Sequence, residues 1–265
     1  MGRTATTLRR TLQVLVPIGA VVYLGVCALL YTKQRSLLYF PTPLGVNGES
    51  DTIRLPVADA KVLVTARERP GPDALIYFGG NSEDVRQNLP LFSTAFPKHA
   101  IYLLHYRGYG GSGGEPSETA LAKDALALFD LARARHKRVI VVGRSLGSGL
   151  AVRVASLRPT SRLVLVTPYD SIVDIAAGLY PVLPVRWLIH ERYESWRYAP
   201  RVRAPTLIIE AGHDEVIPNW STERLVTRFR KGVATLRVIP GASHHNIWQQ
   251  VDFLPLFVDP GKTRR

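Results

Sequence analysis

The sequence predicts an α/β fold: a mostly parallel central sheet with helices on both faces, a small cap, and one N-terminal transmembrane helix. Three observations carry this. After residue 51, β-rich runs alternate with helical patterns, which indicates parallel strands covered on both sides. One of these runs, residues 138–142, leads through Gly143-Arg144-Ser145-Leu146-Gly147 into a small-residue helical pattern over 148–157. Residues 11–32 carry no charge, which makes about 33 Å of apolar helix.

The charge-free stretch suffices for one span, because a bilayer core needs about 20 apolar residues. Pro17 is tolerated near the start of such a helix. The run is longer than the apolar core of a signal peptide, and no small-x-small cleavage site follows it. An uncleaved anchor is therefore expected, with a signal peptide as the competing reading. Arg3, Arg9 and Arg10 precede the span; Lys33 and Arg35 follow it, and the next positive charge is Arg54. The positive-inside rule then puts the N-terminus in the cytoplasm and the remaining chain outside. The single cysteine, Cys27, excludes an internal disulfide framework. Val26 stands where a lipidated cysteine would need a small residue, so Cys27 reads as an apolar residue of the span.

The net charge is +13. Residues 1–35 hold five of the 34 Lys and Arg and none of the 21 Asp and Glu, which leaves +8 on the remainder. That excess suits a domain lying near anionic lipid. No nucleic-acid motif accompanies it, so no nucleic-acid partner is expected. The length of 265 residues, 46% of them hydrophobic, suits one sizeable domain with an appendage. The expected organisation is an anchor over 1–35, a linker over 36–50, and an α/β domain over 51–260 with a cap insertion at about 168–204.

Taken in order, Pro41, Pro43, Gly45 and Gly48 break structure in the linker. Runs 52–57 and 61–66 flank a hairpin turn at Ala58-Asp59-Ala60. Run 74–78 is a buried strand, followed by Gly79-Gly80-Asn81 and a helix expected from Ser82 or Glu83. Run 100–106 is the next strand and enters a glycine loop. Pro116 suits the first turn of a helix with Leu121, Ala125, Leu128 and Ala132 on its apolar face. The central strand, strands at 162–167, 205–210 and 235–239, and a closing helix at about 246–258 complete the pattern. Residues 168–204 break the alternation, with Pro181 and Pro184 interrupting helical character. This stretch sets Trp187, Tyr193, Trp196 and Tyr198 among arginines. Two readings stand for it: a lid that touches lipid or lines an acyl pocket, and a solvated rim whose aromatics pack onto the sheet.

Strand, Gly-x-Ser-x-Gly and helix together form the nucleophile elbow of the α/β-hydrolase fold, which holds the serine hydroxyl above the sheet. The pentapeptide alone is unspecific, since Gly110-Gly111-Ser112-Gly113-Gly114 is a second copy. Four glycines and then Pro116 cannot start a helix at Ser112, so the nucleophile is assigned to Ser145. The same loop matches G-x-G-x-x-G at Gly108, Gly110 and Gly113 but lacks the context of a dinucleotide site. A serine needs a base, and the base needs a group to orient it. In this fold the order is Ser, acid, His. Asp214 and His244 each follow a strand in that order. Asp170 is the rival acid and otherwise a helix cap; Glu210 and Glu215 are weaker candidates. His99, His105, His136, His190 and His213 lie outside the expected position. The Leu146 N–H points at a developing oxyanion, and Gly80 and Asn81 offer a second backbone donor. No His and Cys spacing suggests a metal, and no cofactor is expected.

Several segments resemble the single-pass, membrane-anchored α/β-hydrolase domain proteins, relatives of the prolyl oligopeptidase clan and of depalmitoylating serine hydrolases. They are Tyr77-Phe78-Gly79-Gly80-Asn81, Tyr106-Arg107-Gly108-Tyr109-Gly110 with Pro116-Ser117-Glu118, the elbow, Thr167-Pro168-Tyr169-Asp170-Ser171-Ile172, Gly212-His213-Asp214, and the histidine segment through Trp248. The resemblance covers about residues 30–258. The family often has His-Gly where this chain has Gly79-Gly80, and Asp where His105 stands. For the base, spacing from Gly241 and to Trp248 selects His244, whereas the following Asn246 favours His245; two spacings outvote one neighbour. The resemblance implies serine-dependent hydrolysis of a small or lipid-like acyl ester or thioester through an acyl-enzyme. The alternatives are a serine peptidase of the same fold and a non-catalytic, membrane-anchored interaction protein.

Overall fold

A computed structural model of the chain describes residues 2–43, 45, 51–250 and 253–258. Residues 44 and 46–50 of the predicted linker, and residues 251, 252, 259 and 260 of the predicted domain, lie outside the described residues. Eight strands form one sheet: β1 (Thr52–Leu55), β2 (Val62–Arg67), β3 (Asp73–Phe78), β4 (Ala100–Leu104), β5 (Arg138–Arg144), β6 (Arg162–Val166), β7 (Thr206–His213) and β8 (Ala234–Ser243). Their spatial order is β1-β2-β4-β3-β5-β6-β7-β8. The β1–β2 hairpin is antiparallel and joins β4 antiparallel. From β4 to β8 every pair is parallel.

Between the parallel strands lie α2 (Leu89–Ala95), α3 (Glu118–Arg135), α4 (Leu146–Leu157) and α7 (Asn219–Arg228), with α8 (Phe253–Val258) at the end. Side chains alternate between two cores. Ala74, Ile76 and Phe78 of β3 pack with α3 and α4 residues such as Leu128, Phe129 and Leu150. Leu75 and Tyr77 pack on the other face with Phe92, Phe253 and Phe257. The chain steps from β3 out to β4, then back across β3 to β5. Strand order therefore reverses beside β3. In open α/β sheets, ligands bind at the carboxyl ends of the strands at such a point.

Four local expectations change. No helix starts at Ser82: that residue has φ 58°, a 3-10 turn follows at Val85–Asn88, and α2 begins only at Leu89 with proline in its first turn. Pro90 would break a helix running from Ser82 but fits a helix start. Ser117, whose side chain accepts from Ala120 N–H, caps α3, so Pro116 stands before the cap rather than inside the helix. The closing helix is resolved as a 3-10 turn, Ile247–Gln249, and the short α8. Pro255 cannot sit inside a helix begun at 246 but is compatible with the first turn of one begun at Phe253. The helix α7 has no counterpart among the expected elements, because its buried side chains are chiefly Ser221, Thr222 and Leu225, a weakly apolar face.

Ahead of the sheet, α1 (Gly2–Leu38) runs three residues beyond the predicted anchor boundary. The most apolar 18 residues within its Leu12–Leu38 portion have a mean hydropathy of 2.3, and this portion is long and apolar enough to cross a membrane, a property that a signal sequence shares. Between β6 and β7 stand α5 (Ile172–Leu179), α6 (Val185–Leu188) and two 3-10 turns, Ser195–Arg197 and Ala199–Arg201. This insertion packs on α1, where Arg35 pairs with Glu191.

Candidate active site

Each residue of the site stands just beyond or at the carboxyl end of a parallel strand. Ser145 follows β5 directly and precedes α4, with φ 47° and ψ −119°. That is a strained, left-handed backbone for a non-glycine residue, and such strain concentrates at functional sites. Small residues make the turn possible. A Cβ on Gly143 would lie 2.5 Å from Gly147 O and 2.6 Å from Ala151 Cβ, and one on Gly147 would strike the backbone of Phe78.

The structure brings Ser145, His244 and Asp214 together. His244 Nε2 lies 3.1 Å from Ser145 Oγ, and its Nδ1 lies 3.0 and 2.9 Å from the two Asp214 oxygens. A carboxylate only accepts, so Nδ1–H donates to Asp214 and Nε2 is left to accept the Ser145 hydroxyl proton. Asp214 is itself held by the backbone N–H groups of Val216 at 2.9 Å and Ile217 at 2.7 Å. All three side chains are buried or nearly so. His245 points away: its side chain is 74% exposed and its Nε2 lies 3.5 Å from Glu215.

The rival acids have other partners. Asp170 is fully buried and bonded to Arg224 Nε at 2.6 Å. Burial pushes its carboxyl up, and Arg224 pulls it back. It does not cap α5; Ser171 does, accepting from Asp174 N–H. Glu210 is buried, which raises its carboxyl, and accepts from Asn219 at 2.9 Å. Glu215 accepts the backbone N–H of His244 at 3.1 Å and so steadies the histidine loop. Of the remaining histidines, His105 and His136 are buried, His99 is half-buried, and His190 and His213 are exposed.

The oxyanion candidates separate. Leu146 is the first residue of α4, where an N–H has no intrahelical acceptor. The Gly80 N–H already donates to Glu83 Oε2 at 2.6 Å. Asn81 is fastened through its side chain: Oδ1 accepts from Tyr109 OH at 2.7 Å and from Phe40 N–H at 3.1 Å, and Nδ2 donates to Leu38 O at 2.5 Å. The end of α1 is thereby tied to the loop after β3.

Arg144 and Glu83 join the site without having been expected there. Arg144 Nη1 donates to Glu83 Oε2 at 2.9 Å, and Nη2 donates to the His244 carbonyl at 2.9 Å. Its guanidinium also lies over the Trp248 ring, 5.9 Å from the centroid. Glu83 further accepts from Tyr77 OH at 2.6 Å and Asn88 at 2.5 Å. The only signal in the sequence was a charged residue at the end of a buried strand, which must find partners. Beside this network opens a cleft of about 650 Å³ lined by Asn81, Glu83, Asn88, Arg144, His245 and Trp248. A second cavity of about 640 Å³ lies between the insertion and α7, among Asp174, Trp187, Trp220 and Arg224, and neither Ser145 nor His244 lines it.

Comparison with known proteins agrees with this fold. Residues 78–188 match the family model described as alpha/beta hydrolase fold. An uncharacterized protein of Mycobacterium tuberculosis is 33% identical over 87% of this chain and 87% of its own length. The alpha/beta hydrolase domain-containing protein WAV2 of Arabidopsis thaliana is 26% identical, again over 87% of each chain. Among solved structures, the monoacylglycerol lipase of Paleococcus ferrophilus superposes with a TM-score of 0.58 at 19% identity, covering 75% of this chain and 95% of that one. With relatives matching along nearly its whole length, the chain is a member of the alpha/beta hydrolase domain family.

Proposed function

We propose that this protein is a serine hydrolase that cleaves an acyl ester or thioester through a Ser145-His244-Asp214 triad and an acyl-enzyme intermediate. The observation that carries the reading is His244 standing at hydrogen-bond distance from both Ser145 Oγ and Asp214. The α/β-hydrolase fold, with a lipase among its structural neighbours, supports hydrolase activity in general.

In the proposed reaction, Ser145 Oγ attacks the substrate carbonyl as its proton passes to His244 Nε2. Asp214 accepts from Nδ1–H and stabilises the imidazolium that forms. The developing oxyanion takes hydrogen bonds from the Leu146 N–H, at the positive end of α4, and from the Asn81 N–H. Asn81 is preferred to Gly80 because the Gly80 N–H is already bonded to Glu83. His244 then protonates the leaving alcohol or thiol, and a water activated by the same base releases the acid. Arg144 and Glu215 act indirectly: they hold the His244 loop by its carbonyl and its N–H.

The same reading makes α1 a single-pass anchor, with the N-terminus cytoplasmic and the hydrolase domain outside, carrying its cap at about 168–204. The test is a substrate panel on the full chain in nanodiscs: esters of graded chain length, thioesters and short peptides. Turnover of esters or thioesters that is lost in Ser145→Ala is expected. Turnover of peptides alone would make the protein a peptidase, and no turnover in a folded protein would point to an interaction role. Protease added to the outer face of intact cells is expected to digest the domain; digestion only after lysis would reverse the topology.

A further inference from the structure

The cap carries an apolar surface that the catalytic chemistry does not use. Leu179, Val182 and Trp187 are 67%, 79% and 86% exposed, and Tyr180 stands among them at 52%. They occupy the tip of the insertion, from the end of α5 to α6. That tip lies along α1. Tyr23 OH donates to the Val182 carbonyl at 3.0 Å. Tyr31 packs edge-on against His190 with ring centroids 5.0 Å apart. Gln34 Nε2 donates to Leu188 O at 3.3 Å, and Arg35 pairs with Glu191 at 2.9 Å. Helix and cap are thus in register from Tyr23 to Arg35, about 18 Å along the axis.

This register fixes a depth. The charge-free stretch 11–32 has only about two residues more than a bilayer core needs, so the helix has little freedom to slide along the membrane normal. Tyr23 stands ten residues before Lys33, or about 15 Å from the first charge at that end. Whatever touches Tyr23 is carried below the headgroups. The tip is built to tolerate this. Pro181 and Pro184 bring no N–H groups. The Val182 carbonyl is satisfied by Tyr23, the Tyr180 carbonyl by Leu183 N–H at 3.1 Å, and the Pro184 carbonyl by Trp187 N–H at 2.9 Å. Paired backbone groups are what a lipid environment demands, and tryptophan favours the lipid–water boundary. Arg186, the charge within the tip, is paired with Asp174 and has a stem long enough to snorkel.

We propose that residues 179–187 form a second membrane contact, immersed in the same leaflet as the C-terminal half of α1, with the acyl and glycerol region of phospholipid as its partner. The proposal rests on the reading of α1 as an anchor, and the test separates the two. In full-length Cys27→Ser, single cysteines Val182→Cys, Leu15→Cys and Lys123→Cys are labelled with an environment-sensitive dye in phosphatidylcholine nanodiscs. Doxyl-labelled lipid and aqueous iodide are the quenchers. The expected result is that the probes at 182 and 15 are quenched by the lipid and shielded from iodide, whereas the probe at 123 behaves in the opposite way. A lipid-shielded probe at 15 with an iodide-accessible probe at 182 would overturn the membrane contact and leave the anchor standing. An iodide-accessible probe at 15 would overturn both. Independently of labelling, brominated phosphatidylcholine is expected to quench less of the tryptophan emission in Trp187→Phe than in the unaltered protein; equal quenching would also overturn the contact.

Discussion

Two serines of this chain sit in the same pentapeptide pattern, and each has a histidine beside it. Ser145 lies on the strand-to-helix turn with a strained backbone, and the imidazole of His244 meets its hydroxyl. Ser112 lies in a glycine loop, where its hydroxyl accepts from Leu63 N–H at 2.9 Å and donates to the carbonyl of His105 at 3.0 Å. The His105 ring turns elsewhere, with Nε2 at 2.7 Å from Thr65 Oγ1. Burial pulls this imidazole down to about 4, with Arg86 adding to the effect, which keeps it neutral. One serine–histidine pair is thus assembled side chain to side chain with a carboxylate behind it. The other is side chain to backbone and closes a loop. The chain on the C-terminal side of each motif separates them. After Ser145 a helix presents the hydroxyl at the strand end; around Ser112 four glycines fold it back against β2.

The largest expected effect is on Ser145. Ser145→Ala should lower kcat by about 10⁴- to 10⁶-fold, whereas Ser112→Ala should retain most turnover when both are assayed on the same ester. The two adjacent histidines extend the contrast. His244→Ala should be nearly inactive, while His245→Ala, altering an exposed ring, should stay within about tenfold of the unaltered enzyme in variants with matching thermal unfolding. Active His244→Ala with inactive His245→Ala would move the base.

A smaller loss is expected at Asn81. Asn81→Ala keeps the backbone N–H but removes the ties to Leu38, Phe40 and Tyr109. Misplacing an oxyanion donor should lower kcat by about 10- to 100-fold, with KM little changed. An unaffected kcat would show that the loop holds its shape without its ties to the end of α1.

The least effect on turnover belongs to the Ser112 region, where stability is the readout. Ser112→Ala leaves the buried Leu63 N–H without its acceptor and should cost about 1–3 kcal/mol in urea unfolding. For His105 the sign follows from its lowered value. Above its ordinary 6.5 the ring is neutral in both folded and unfolded chains, and its contribution to stability is complete. As pH falls from there to about 4, the unfolded chain binds a proton that the folded one refuses, and stability drops by up to about 3 kcal/mol. His105→Gln should flatten that part of the stability–pH curve.

The parallel strands and the three residues after them were legible in the sequence because each combines a short β-branched run with a turn that only certain residues allow. The elbow, Gly212-His213-Asp214 and the Gly241 segment were legible for the same reason. Local chemistry also set where expectation and structure part. Pro90 and Pro255 fix helix starts that apolar periodicity alone places too early. The helix α7 hides because its buried face is only weakly apolar, with Ser221 and Thr222 beside Leu225. The Arg144–Glu83 bond joins residues 61 positions apart, and the ties from Phe40 to Asn81 and from Tyr39 to Glu191 join segments at separations of 41 and 152. Partners of that kind are chosen by the fold and leave no spacing to read. Tyr39 OH, for instance, bonds Glu191 at 2.7 Å, and burial with that carboxylate beside it drives its phenol upward. No pattern around Tyr39 announces this.

The decisive experiment is covalent labelling of the full chain in nanodiscs with a fluorophosphonate, with peptide mass mapping of the adduct. The probe reacts with a serine only where a base takes the proton and donors hold the phosphonyl oxygen, so it reads the whole site at once. One adduct is expected, on the peptide containing Ser145, lost in His244→Ala and retained in Ser112→Ala. An adduct on Ser112, or no adduct on a folded chain, would refute Ser145 as the nucleophile.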